Sequence, residues 1–241
     1  MKLDCLAFGA HPDDAELGCG GTLAKLAAAG RRVGIIHLTR GEAGTRGTPE
    51  LRRQEAEAAA RTLGAEAWEI LDLGDGAFRA DREAEDQVIE RIRFYRPELV
   101  LLPPPSDRHP DHGRAHRVVR DACFYAGLAR RGSGVAHRPA AWFWYMGHQP
   151  FEPLFVVDIT PYWPQKEQAL NCYRSQLHSG APEDPETVPP TKVGSRSFRR
   201  ALEGRARMLG AQIGVEFGEG FGARGPLAID DLWALLPKGL P

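Results

Sequence analysis

Three things are scarce in this 241-residue chain, and each scarcity closes off a class of protein. Cysteine occurs four times, as Cys5, Cys19, Cys123 and Cys172, with no C-x-x-C spacing. Three of the four lie in apolar stretches, which suits buried free thiols in a reducing compartment rather than a disulfide framework. Long hydrophobic runs are also missing, for no segment approaches the roughly 20 apolar residues of a membrane-spanning helix. Asp4 falls where the apolar core of a secretory leader would lie, so the expectation is a cytoplasmic protein without a membrane partner. Finally, neither sign of charge is in excess: the net charge is −1, with acids and bases interspersed. That leaves no broad electrostatic footprint for nucleic acid, and a small molecule is the expected partner.

The hydrophobic pattern fits an α/β protein. Residues 3–8, 33–38, 67–73 and 98–102 read as strands, the first, second and fourth as buried apolar runs. Between them, Glu16 to Ala29, the stretch from Glu50 to Gly64, and Asp81 to Tyr95 carry helical periodicity, with Gly30, Gly64 and Pro97 as stop signals. Alternation of this kind over residues 1–127 predicts a Rossmann-like, mainly parallel sheet, helices on both faces, and a strand order of 3-2-1-4. Past Gly127 the pattern is less regular. Residues 141–146 and 154–157 are strand-like, 161–173 and 197–209 helical, and 179–195 is rich in Pro, Gly and polar residues, as a mobile loop would be. A single domain is expected, with a core over 1–127 and an elaboration over 128–241.

Two short clusters stand out. Ala10-His11-Pro12-Asp13-Asp14 follows the first strand, and Arg108-His109-Pro110-Asp111-His112 follows the fourth. In the order 3-2-1-4 those two strand ends flank the reversal of strand order, where open α/β sheets bind ligands. Taken alone, a His-x-Asp-Asp after a strand is as well explained by a turn whose Asp caps the next helix. Two clusters at equivalent places in one sheet are not so explained.

Imidazole and carboxylate suit a divalent ion such as zinc, which in catalytic sites takes three protein ligands and leaves a position for water. Assigning His11, Asp14 and His112 to one Zn2+ per chain leaves Asp13 as general base and His109 opposite it as a protonated donor to an oxyanion and to a departing amine. Asp111 would hold His109 in its tautomer and raise its pKa. Rival readings are weaker. Gly18-Cys19-Gly20-Gly21 invites a nucleotide-binding module, but Leu23 breaks the G-x-G-x-x-G pattern. A metal phosphoesterase lacks a second set of ligands. His148 is a minority candidate for lining the pocket, and the run Trp142 to Tyr145 is read as core.

These residues, together with Gly20-Gly21-Thr22 and Leu51-Arg52-Arg53-Gln54-Glu55, resemble the LmbE-like (PIG-L) family of zinc-dependent N-deacetylases. Ala169 to Gln176 and Gly214 to Phe221 resemble the branch that deacetylates N-acetylglucosaminyl-malate in bacillithiol biosynthesis. The resemblance implies the same metal ligands, Asp13 as base and His109 as acid. It also implies that Arg52 and Arg108 reach the substrate, where guanidinium forks suit a dicarboxylate aglycone. It further implies a GlcNAc-type substrate, an inositol conjugate or chitooligosaccharide being the alternatives to malate, and a homo-oligomer, since members of that branch are commonly hexamers. One departure is Phe198, which stands where related enzymes carry a tyrosine hydroxyl.

Overall fold

The computed structural model describes residues 1–177 and 190–236. Its strands and helices alternate as β1 (Cys5–Gly9), α1 (Asp14–Ala28), β2 (Val33–His37), α2 (Pro49–Thr62), β3 (Ala67–Ile70), α3 (Arg82–Tyr95), β4 (Leu99–Leu102) and α4 (Pro110–Tyr125). There follow β5 (Ala141–Tyr145), β6 (Phe155–Asp158), α5 (Trp163–Cys172), α6 (Arg196–Gln212) and β7 (Gly218–Gly222). The seven strands form one sheet in the order β3-β2-β1-β4-β5-β7-β6, in which the two pairings made by β7 are antiparallel and the others parallel.

Side-chain alternation along β1 sets the layers. Leu6 and Phe8 pack with Val88, Ile89 and Ile92 of α3 and Val118 and Val119 of α4 on one face. Cys5 and Ala7 pack with Leu23 of α1, Ala56 and Ala59 of α2 and Leu170 of α5 on the other. Because β1 and β2 are buried on both faces, every residue in them is buried, as the apolar runs implied. The helix ends follow local chemistry. Thr48 caps α2 by accepting from Leu51 N–H at 3.2 Å, and Pro49 takes the first turn, where no N–H is needed.

Strand β7 was not legible as a strand. Three of its five residues are glycine, which has low strand propensity and no alternation to read. The glycines are there for close approach: a Cβ on Gly222 would lie 2.2 Å from the Trp144 indole, and one on Gly218 2.5 Å from Val156. Helix α1 is broken at Cys19 (φ −142°, ψ 18°), one residue after Gly18, where a Cβ would sit 2.1 Å from the Tyr145 ring. The N–H groups freed by the break, on Gly21 and Thr22, donate to the Glu219 carboxylate at 2.9 and 2.7 Å. Lys166 from α5 completes this buried set at 2.6 Å from Glu219. Gly18, Gly20 and Gly21 thus serve helix packing, in line with the failed dinucleotide fingerprint.

No helix among the described residues is long and apolar enough to cross a membrane. Residues 178–189 and 237–241 lie outside the described residues, and with them most of the loop expected at 179–195. Residues 192–195 form a turn that leads into α6, which Ser195 caps.

Candidate metal and catalytic site

Adjacent parallel strands β1 and β4 end side by side, and each delivers its cluster to the same crevice. After β1 the chain turns sharply. The His11 N–H donates to Asp14 Oδ2 at 2.8 Å, and Asp13 takes a left-handed conformation with φ 112°. Only one other non-glycine described residue, Arg96, has positive φ. After β4, His109 caps α4: its Nδ1 accepts from the Asp111 N–H at 3.3 Å, and Pro110 occupies the first turn.

The turns bring three imidazoles and two carboxylates together. His112 Nε2 lies 3.1 Å from Asp14 Oδ1, and His11 Nδ1 lies 3.4 Å from Asp14 Oδ2. A tetrahedral ion with bonds near 2.0–2.1 Å sets its ligand atoms roughly 3.3 Å apart, and each pairing has about that separation, through different oxygens of Asp14. The described groups whose ligand atoms all lie close together are His11, His109 and His112, then Asp14, His112 and His148, and His11, Asp75 and Asp111. His109 stands over the pair, its ring centroid 4.6 Å from His11 and 5.3 Å from His112. Each candidate ligand imidazole also has a carboxylate on its other nitrogen. His112 Nδ1 meets Asp107 Oδ2 at 2.7 Å, while His11 Nε2 meets Asp111 Oδ2 at 3.3 Å and Asp75 Oδ1 at 2.9 Å. Such carboxylates fix ring orientation and make the metal-facing nitrogen more basic.

Charge follows geometry. Burial pulls the His11 pKa down, but Asp111, Asp14 and Asp75 outweigh it and hold it well above its usual range. His112 is likewise penalised by burial yet raised to about 9, chiefly by Asp14 and Asp107. Asp14, though buried, is held well below the carboxylate range by His112 and His11. Asp107 and Asp111 both fall to about 2 through the hydrogen bonds they accept, against the effect of burial. Asp13 moves the other way. Burial and the neighbouring Asp14 charge push it up to about 7 in spite of Arg52.

Three expectations need correction. Asp111 does not hold the His109 ring: its carboxylate faces His11, the Gly76 N–H at 2.8 Å and Arg114. The reason is that His109 uses Nδ1 to cap α4, so only the Asp111 backbone reaches it. Nor is His109 raised. Burial and the neighbouring His11 and His112 charges lower its pKa, outweighing Asp111. Arg52 is buried, donating to the Pro12 carbonyl at 2.7 Å and the Gly41 carbonyl at 3.0 Å, with Asp13 4.0 Å away. It clamps the loop after β2 to the His11 turn instead of lining an open pocket. Arg108, by contrast, is exposed beside His109.

Asp75, Asp107 and His148 join the site without having been assigned a place there. Asp75 follows β3, and the rule that ligands lie beyond strand carboxyl ends could have flagged it. Asp107 stands two residues before His109. His148, weighed only as a pocket liner, stacks on His112 with centroids 5.4 Å apart and meets the Phe198 ring at 5.5 Å in a tilted contact, and burial lowers its pKa to about 4. Phe198 therefore does stand at the site, without a hydroxyl.

Such an arrangement can hold one divalent ion and move a proton beside it. The GlcNAc-PI de-N-acetylase family (PIG-L) matches residues 6–123. A diacetylchitobiose deacetylase of Thermococcus kodakarensis is 34% identical over 190 residues, covering 72% of this chain and 68% of that protein. A 4-oxalmesaconate hydratase of Pseudomonas putida is 29% identical, with 72% and 74% covered. Among solved structures, the conserved protein TT1542 of Thermus thermophilus superposes with a TM-score of 0.83 at 37% identity, over 94% of this chain and 97% of that one.

Proposed function

Since this chain belongs to the GlcNAc-PI de-N-acetylase (PIG-L) family, we propose that it is a zinc-dependent hydrolase that removes an N-acetyl group from a GlcNAc-type glycoconjugate. The observation that carries this reading is that Asp14 stands at ligand distance from both His11 and His112, with a raised, buried Asp13 beside it. The two imidazoles and one carboxylate fit zinc. When bound, the ion polarises the acetyl carbonyl and acidifies the attacking water.

The chain's own groups do the rest. Asp13 takes a proton from the attacking water, and its raised pKa lets it keep that proton until the amine leaves. The C–N bond then breaks as Asp13 protonates the nitrogen, giving acetate and a free glucosamine amine. His109, with Nδ1 occupied by the Asp111 N–H, carries its proton on Nε2 and steadies the carbonyl oxygen as a neutral donor. That replaces the imidazolium role expected from the sequence. For the finer substrate, the resemblance favours N-acetylglucosaminyl-malate, a step of bacillithiol biosynthesis, with exposed Arg108 beside His109 to meet a carboxylate of the aglycone.

The test is acetate release by metal-quantified protein from N-acetylglucosaminyl-malate, diacetylchitobiose and plain N-acetylglucosamine. Asp13→Asn should keep the metal and lose on the order of 10²-fold or more in kcat. His109→Ala should cost on the order of 10²-fold. Release from none of the three substrates at full metal loading would sink the deacetylase reading. The similarity to a hydratase supports a second one, in which the same base adds water across a carbon–carbon double bond. Loss of absorbance from 4-oxalmesaconate, with no acetate from the glycosides, would select it.

A further inference from the structure

Helix α6 has no part in the proposed chemistry, yet one of its side chains reaches the site from behind. The Arg205 guanidinium donates through Nη1 to the carbonyl of Gly147. Gly147 opens the turn after β5, and the next two amides of that turn close on one carboxylate. The His148 N–H donates to Asp107 Oδ2 at 2.8 Å, and the Gln149 N–H to Oδ1 at 3.1 Å. That carboxylate is the one on His112 Nδ1. It also fills the space a side chain at 147 would need, since a Cβ there would lie 2.1 Å from Asp107 Oδ2. Three amides and an imidazole therefore aim Asp107, the third amide being the Arg108 N–H on Oδ1 at 2.6 Å, and the position of two of those amides depends on a turn whose first carbonyl is tied to α6.

We propose that Arg205 is a positioning residue for the metal centre: by fixing the Gly147 carbonyl it sets the turn that holds Asp107 against His112, and so sets how tightly His112 grips the ion. This rests on His112 being a ligand, as argued above. A carboxylate behind a ligand imidazole is worth about 10–100-fold in metal affinity. A group that holds the carboxylate in place controls part of that factor.

The experiment is zinc affinity of the full chain, read by competition with a chromophoric chelator. Asp107→Asn should weaken zinc binding about 10–100-fold, and Arg205→Met should weaken it about tenfold through the same route. The double variant should bind no more weakly than Asp107→Asn alone, because the guanidinium acts through that carboxylate. Wild-type affinity in Arg205→Met, or losses that add in the double variant, would overturn the proposal. Gly147→Ala displaces Asp107 with α6 untouched and should reproduce the loss. Should Arg205→Met not fold, Gly147→Ala decides, and wild-type affinity there breaks the link between turn and carboxylate. Failure of the underlying reading looks different, because His112→Ala would then retain its zinc.

Discussion

A carboxyl that is to take a proton from water and return it within one turnover needs a proton affinity well above that of free aspartate. Burial supplies it at Asp13, lifting its pKa from 3.8 to about 7. The ionised form is the active one, so kcat/KM should fall about tenfold per unit as pH drops below that pKa. A dication nearby favours the ionised form, which places this acid limb below pH 7 in the metal-loaded enzyme. A pH profile of kcat/KM checks it, and residual turnover in Asp13→Asn should lack the limb. Arg52 makes a separate prediction. Its two carbonyl contacts hold the His11 turn and not the substrate, so Arg52→Met should lower kcat and leave KM within about twofold. A large rise in KM with kcat intact would return Arg52 to the substrate fork that its position in the sequence suggests.

Helix α1 carries the same logic to a whole element. It must pass close to β5, which Gly18 permits at the Tyr145 ring, and it breaks immediately afterwards. The amides exposed by the break are covered by Glu219 from β7, whose charge Lys166 neutralises from α5. Removing one partner of a buried pair leaves the other charged and unpaired, at a cost of about 3–5 kcal/mol. Glu219→Gln should therefore lower the unfolding free energy from urea titration by that amount while zinc stoichiometry stays the same. A variant as stable as wild type would mean that the pair is replaceable and that backbone contacts alone hold the break.

At the scale of the molecule, the half built from local pattern was readable and the half built from approach was not. Apolar runs separated by capped helices place β1 to β4 in order, and with them the two turns that meet over the strand-order reversal. The antiparallel insertion of β7 between β5 and β6 has no such signal, because its glycines are chosen by the neighbours they admit. The site divides the same way. The His/Asp clusters announce themselves by spacing, whereas which carboxylate faces which ring depends on side-chain direction. His109 spending Nδ1 on the helix cap is what sends Asp111 to His11, and no spacing rule contains that. His148 and Asp75 arrive from separate loops and carry no motif of their own.

The backbone at Asp13, with its φ of 112°, has a consequence for anyone wishing to harden this protein against heat. A side chain held in that region costs about 1–3 kcal/mol, which glycine would not incur. Asp13→Gly would also remove a buried carboxyl. It should melt several degrees higher than the native chain while releasing no acetate, and differential scanning calorimetry beside the activity assay would show it. A melting point at or below the native one would mean that contacts of the Asp13 side chain outweigh the strain. If it does rise, a library selected for thermal survival alone would drift toward inert molecules at this single codon.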